Sequence, residues 1–188
     1  MDKIIKMSLN KYRVFAVRHA QSRFNRDFPP HLNLTDPSLP KYGPEHFSRA
    51  VDPRYVDTLL TEEGEQQCLK NAETVNQMRD VEIVYISPLR RTLQTAHLLF
   101  GTHPDRERIR FVVDPNLREN LCCVGDLPQS SFKNTFEELG KHFTNLDTDT
   151  LMGNVHNHWY IHNLNDPLRE TLLKIPEDDV HTHILRHI

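Results

Sequence analysis

The chain has 188 residues, with 23 Lys and Arg against 26 Asp and Glu and a formal net charge of -3, a size that predicts one domain over residues 1–188 and no second large one. Hydrophobic residues make up only 37% and charged residues 26%, a thin core for the length. Nine Phe, five Tyr and one Trp at so mild a charge nevertheless exclude a disordered chain. No apolar run approaches the roughly 18 residues that cross a bilayer, and Met1 to Met7 lacks the apolar stretch of a secretory leader. Lys and Arg are dispersed, so neither a membrane nor a nucleic acid is expected as partner. Three cysteines, Cys68, Cys122 and Cys123, are odd in number and lack metal-ligand spacing, which points to a reducing cytoplasm.

Tyr12 to Val17 reads as a continuously apolar strand buried on both faces, ending at Arg18-His19. Residues 27 to 57 hold six of the twelve prolines and read as a long loop insertion. Thr61 is a predicted N-cap, with Glu62 and Glu63 in the first turn; Cys68, Ala72, Val75 and Met78 then mark one face of a helix of about five turns. Val81 to Ile86 predicts a second strand, closed by Ser87 as cap and Pro88 at the first position of a helix running to Phe100. Ile109 to Val113 predicts a third strand, with a turn at Asp114-Pro115. Pro128, Ser130 and Ser131 introduce a helix through Phe143, residues 145 to 165 read as a second long polar loop, and a short helix follows around Pro167 to Leu173.

Strand alternating with helix is the order of an α/β fold, a three-layer α/β/α sandwich with a mostly parallel sheet. Ligands of such sheets bind beyond the carboxyl ends of the strands. That edge would gather Arg18-His19, Ser87 to Arg91 and Leu117-Arg118-Glu119. Arg18 and Arg91 present permanent charge and fixed donors to phosphate oxygens. His19 as a neutral imidazole can attack phosphorus, and Glu119 is the nearest carboxyl to protonate a leaving group, with Asp114, Glu62 and Asp126 as rivals. The set describes phosphoryl transfer through a phosphohistidine without metal or cofactor. His156, His158 and His162 read as a polar surface cluster rather than a metal site, and Cys122-Cys123 as packing.

Val17-Arg18-His19-Ala20-Gln21-Ser22-Arg23-Phe24-Asn25 closely resembles the Arg-His-Gly-(Glu/Gln)-Ser-x-x-Asn signature of the histidine phosphatase superfamily, the phosphoglycerate-mutase-like fold. Leu60-Thr61-Glu62-Glu63-Gly64-Glu65-Gln66 is similar to the family's Leu-Thr-x-x-Gly segment, Ser87-Pro88-Leu89-Arg90-Arg91-Thr92-Leu93-Gln94-Thr95-Ala96 to its Ser-Pro-Leu-x-Arg segment, and Leu117-Arg118-Glu119 to its Leu-x-Glu. The match covers residues 13 to 119. It implies that His19 is the phosphorylated nucleophile, Arg18 and Arg91 phosphate ligands, Glu119 the proton donor, and Ser22 and Asn25 supporting residues of the phosphate loop. For the family's second active-site histidine, the candidate is His183 in Thr182-His183-Ile184-Leu185-Arg186, which is otherwise an exposed tail residue. Ala20 stands where the family has glycine, which is compatible only with a φ below zero.

The resemblance implies a phosphomonoesterase acting on a phosphorylated small molecule or phosphoprotein. Mutase activity is not expected, because Asn120-Leu121-Cys122-Cys123 follows Glu119. The alternative is a catalytically weak or inactive member that binds a phosphorylated ligand or a protein. The carboxyl end, Asp178 to Ile188, is expected to fall short of a full last strand.

Overall fold

In the computed structural model the described residues are 4–9, 12–28, 52–119, 124–128 and 132–149. Strands β1 (Ile4–Leu9) and β2 (Tyr12–Val17) form an antiparallel hairpin that pairs Ile4 with Val17 and Leu9 with Tyr12. The sequence reading does not contain β1, because Lys6 and Ser8 interrupt its apolar residues. Burial of β2 on both faces is also corrected. Val14 and Val17 are 42% and 40% exposed, since among the described residues β2 pairs with β1 and lies outside the parallel sheet.

A short helix, α1 (Arg23–Asp27), follows the loop after β2. Most of the segment read as the first long loop lies outside the described residues; its end carries a 3-10 turn at Pro53–Tyr55. Helix α2 (Glu62–Asn76) starts where the cap predicts, with the Thr61 side chain accepting from the Gly64 amide. Its buried residues, Gly64, Cys68, Ala72 and Val75, recur at helical spacing on one face.

Strand β3 (Ile83–Ile86) leads into helix α3 (Arg90–Phe100). The predicted start of this helix is corrected. Leu89, not Ser87, is its N-cap and caps nothing with its side chain; the orphan amide of Arg90 instead donates to the Asp57 carboxylate at 2.8 Å. Asp57 is buried, with φ at 43°, and its charge faces the positive end of the helix dipole.

Strand β4 (Arg110–Val113) is followed by 3-10 turns at Pro115–Leu117 and Val124–Asp126, then helix α4 (Phe132–Leu139), a 3-10 turn at Gly140–His142 and strand β5 (Leu146–Asp147). The order β3-β4-β5 is parallel throughout, with Ile83 beside Arg110 and Phe111 beside Leu146. β5 thus falls where a polar loop is predicted, a two-residue pairing too short to show a period. As the central strand, β4 buries Phe111, Val112 and Val113 in succession.

Helix α3 packs on α2, β3 and α4. Around it lie Ile86, Leu89, Leu93, Ile109, Phe111, Val113, Val124 and Leu127, all buried in one cluster; each of the larger side chains contributes about 1.5–3 kcal/mol by leaving water. A second cluster of Ala20, Leu60, Cys68, Val75 and Leu99 lies between α2 and α3 and holds the loop after β2. The described residues therefore build the α/β class with a parallel sheet. Among them, no helix is long and apolar enough to cross a membrane.

Candidate active site

The loop that carries His19 is held from two sides. From α3, the Thr95 hydroxyl accepts from the Ala20 amide at 3.2 Å and donates to the Arg91 carbonyl at 2.7 Å. From α2, the Gln67 side chain accepts from the Gln21 amide at 3.1 Å, while the Thr61 amide and hydroxyl donate to the Gln21 carbonyl and side-chain oxygen at 3.0 and 2.7 Å. Gly64 permits this approach: a Cβ there would stand 2.1 Å from the Gln21 carbonyl oxygen. Ala20 satisfies the condition set by the sequence, because Asp57 and Asp80 are the non-glycine residues with positive φ among those described.

These clamps present the His19 ring in one tautomer. Its Nδ1 is 2.7 Å from the Ala20 carbonyl oxygen, which can only accept, so the proton is on Nδ1. Its Nε2 lies 3.2 Å from the Arg91 Nε–H, which can only donate, so the lone pair is on Nε2. Burial, then the Arg91 charge, bring the His19 pKa down to about 4; the bond to Ala20 works in the other direction, and the Arg18 charge adds to the lowering. The ring is neutral at pH 7, with its lone pair available.

Arg91 is itself buried, its side chain 5% exposed. Its Nη1 donates to the Gly125 carbonyl at 2.5 Å, and its Nη2 lies 3.4 Å from an Asp126 carboxylate oxygen. Gly125 is packed so closely on Phe24 that a Cβ would come within 2.9 Å of the ring. Phe24 in turn stacks on Phe28, with centroids 4.6 Å apart, and meets the edge of Tyr55. The turn that reaches Arg91 is thereby tied to α1.

The remaining predicted residues have different positions. Arg18 is exposed at the end of β2 and acts on His19 through its charge. Ser22 is fully buried and caps α1: it accepts from the Asn25 amide at 3.2 Å and donates to the Asn25 side-chain oxygen at 2.9 Å. The two residues brace each other at the base of the loop. Glu119 is exposed, and its main-chain carbonyl accepts from the Arg118 guanidinium at 3.1 Å. Among the contacts of the described residues, Glu119 meets neither His19 nor Arg91; the carboxylate beside the guanidinium is Asp126. His183 lies outside the described residues, as do Cys122, Cys123, His156, His158 and His162. Cys68 is buried below the loop, where desolvation pushes its thiol up to about 11 and leaves it inert as a nucleophile.

Sequence reasoning passed over Gln67 and the Gly125 carbonyl, and weighed Asp126 only as a rival acid. Gln67 had a readable signal in its place two turns after the Thr61 cap. A carbonyl on a turn has none.

A neutral imidazole with its lone pair on Nε2, a buried guanidinium against it and a second arginine nearby make a site for nucleophilic attack on an anion. The family model of the histidine phosphatase superfamily, branch 1, matches residues 14–157 of this chain. The chain belongs to that superfamily, whose chemistry is of the phosphatase and mutase type, and its helices and parallel sheet are consistent with the phosphoglycerate-mutase-like α/β fold. No curated protein and no solved structure matched the chain.

Proposed function

We propose that this protein is a phosphomonoesterase working through a phosphohistidine at His19. The observation that supports this most is the tautomer: Nδ1–H is given to Ala20, and the Nε2 lone pair is held against the Arg91 guanidinium. In the first step the Nε2 lone pair attacks phosphorus, the P–O ester bond breaks, and the departing alkoxide takes a proton from a carboxylic acid, for which Glu119 is our candidate. In the second step water attacks the phosphoryl group and returns a proton to that carboxylate. The P–N bond breaks, and inorganic phosphate leaves with His19 neutral again. Arg91 and Arg18 neutralise the oxygens throughout, and Ser22 and Asn25 keep the loop in register. This scheme draws its positive charge from side chains and needs no metal or cofactor.

We take the substrate to be a phosphorylated small molecule or phosphoprotein, His183 to be the second histidine at the phosphate, and the cytoplasm to be the compartment, on the evidence of the cysteine count. The test is release of phosphate from a generic aryl phosphate by the purified chain, with at least ~1,000-fold loss in His19→Ala. No release by the wild type would overturn the reading.

A second reading, a member that binds a phosphorylated ligand without turning it over, is favoured by the exposure of Glu119. It predicts phosphate affinity in the wild type and the same affinity and the same absence of turnover in Glu119→Gln. The first reading predicts a turnover loss on the order of 100-fold in that variant.

A further inference from the structure

Arg91 carries a full positive charge in a site with almost no contact with water, its side chain 5% exposed. A buried cation persists only when it is paired and its donors are used. The partner the structure gives it is Asp126, 13% exposed, with the Gly125 carbonyl beside it on the same 3-10 turn. Both are on a segment that carries none of the residues used in the scheme above.

The guanidinium has five N–H donors in a rigid plane. Nε–H is given to His19, one Nη1–H to Gly125 and one Nη2–H to Asp126. One N–H on each Nη is left over by these bonds and can donate to a phosphoryl oxygen. Without the grip on its far side, Arg91 could rotate about its own side-chain bonds, and both the contact with Nε2 and the remaining donors would lose their direction. We propose that Asp126 is a positioning residue of this site: its carboxylate, with the Gly125 carbonyl, fixes the plane of Arg91 so that one edge meets His19 and two N–H groups remain for phosphate. This rests on the phosphatase reading for its purpose, though not for its geometry.

Among the described residues the charged groups that act on His19 are Arg91 and Arg18, and Arg91 faces Asp126. The test compares wild type, Asp126→Asn, Asp126→Glu and Asp126→Ala, each first shown to melt cooperatively. Two quantities are measured: the dissociation constant for inorganic phosphate, and the titration of the His19 ring followed by NMR.

In Asp126→Ala, phosphate should bind at least ~10-fold more weakly, and the His19 midpoint should climb from about 4 toward the ordinary imidazole value as Arg91 leaves Nε2. Asp126→Asn, which keeps an acceptor but not the charge, should fall between wild type and Ala, and Asp126→Glu should recover most of the loss. A purely structural role would change the melt and leave the titration of His19 alone. If folded Asp126→Ala matches the wild type in both quantities, the proposal is wrong, and should Ala not fold, a match by Asp126→Asn decides the same. Should the wild type neither hydrolyse aryl phosphate nor bind phosphate, the phosphatase reading fails, while the His19 titration still decides whether Asp126 holds Arg91.

Discussion

Among the described residues, two partly buried histidines, His19 and His97, are pulled below the ordinary imidazole range, and they sit in very different surroundings. His19 has both ring nitrogens assigned, one donating to Ala20 and one receiving from Arg91. His97, on α3, stacks on His142 with centroids 4.3 Å apart, and its Nδ1 is buried without a partner. Burial lowers its pKa first, then the charges of His142 and Arg106. Arg106 donates to the His142 carbonyl and to the Gly101 carbonyl, so its charge stays close to the stack. A depressed pKa therefore does not by itself mark a nucleophile. What separates the two rings is direction: at His19 partners on both ring nitrogens choose the tautomer and aim the lone pair, whereas at His97 the Nδ1 is left without one.

The largest effect that follows is a contrast in turnover. His19→Ala should lose at least ~1,000-fold, while His97→Phe, which keeps a ring to stack on His142, should stay within about twofold, as expected of a change away from the site. Comparable losses in both variants, in steady-state assays of folded protein, would abolish the distinction.

Next comes Gly64→Ala. Its new methyl would meet the Gln21 carbonyl oxygen at 2.1 Å, so the first turn of α2 must move away from the loop. We expect a stability loss of about 3 kcal/mol by denaturant titration, the scale of overpacking, together with an activity loss exceeding what the unfolded fraction explains. A variant with wild-type stability would mean that α2 does not clamp the loop.

The smallest effect is acid sensitivity. Both histidines have folded-state pKa values below the unfolded value near 6.5, so protons bind the unfolded chain better. Their contribution is complete above about pH 6.5 and fades as pH falls below it, for His19 down to about 4. For His19 the shift corresponds to ~3 kcal/mol at most. His97→Phe should flatten part of this slope in melts between pH 7 and pH 5, and an unchanged slope would remove His97 from the account.

Much of the architecture was legible because long runs repeat their own signals. The apolar succession in β4, the alternation of buried positions along α2 and the Thr61 cap all belong to segments of four residues or more whose neighbours agree. β1 and β5 were not legible: Lys6 and Ser8 dilute the first, and the second is two residues defined by its partner rather than by its composition. The start of α3 was misread at Ser87 because its cap is Asp57, more than thirty residues away, a contact that spacing cannot encode. In the site, His19 and Arg91 were visible because both stand at recognisable strand and helix ends. Asp126 was seen only as one solvated carboxylate among many, since its distinction comes from the burial of its partner.

The central claim is that the Nε2 lone pair of His19 takes the phosphoryl group. Brief mixing with a phosphate-labelled aryl ester, quenched in alkali to preserve a phosphohistidine and then digested, tests it directly. Label should appear on the peptide containing His19, up to one per chain, and should vanish on acidification and in His19→Ala. Turnover accompanied by no label on that peptide, or by label on another residue, would contradict the account.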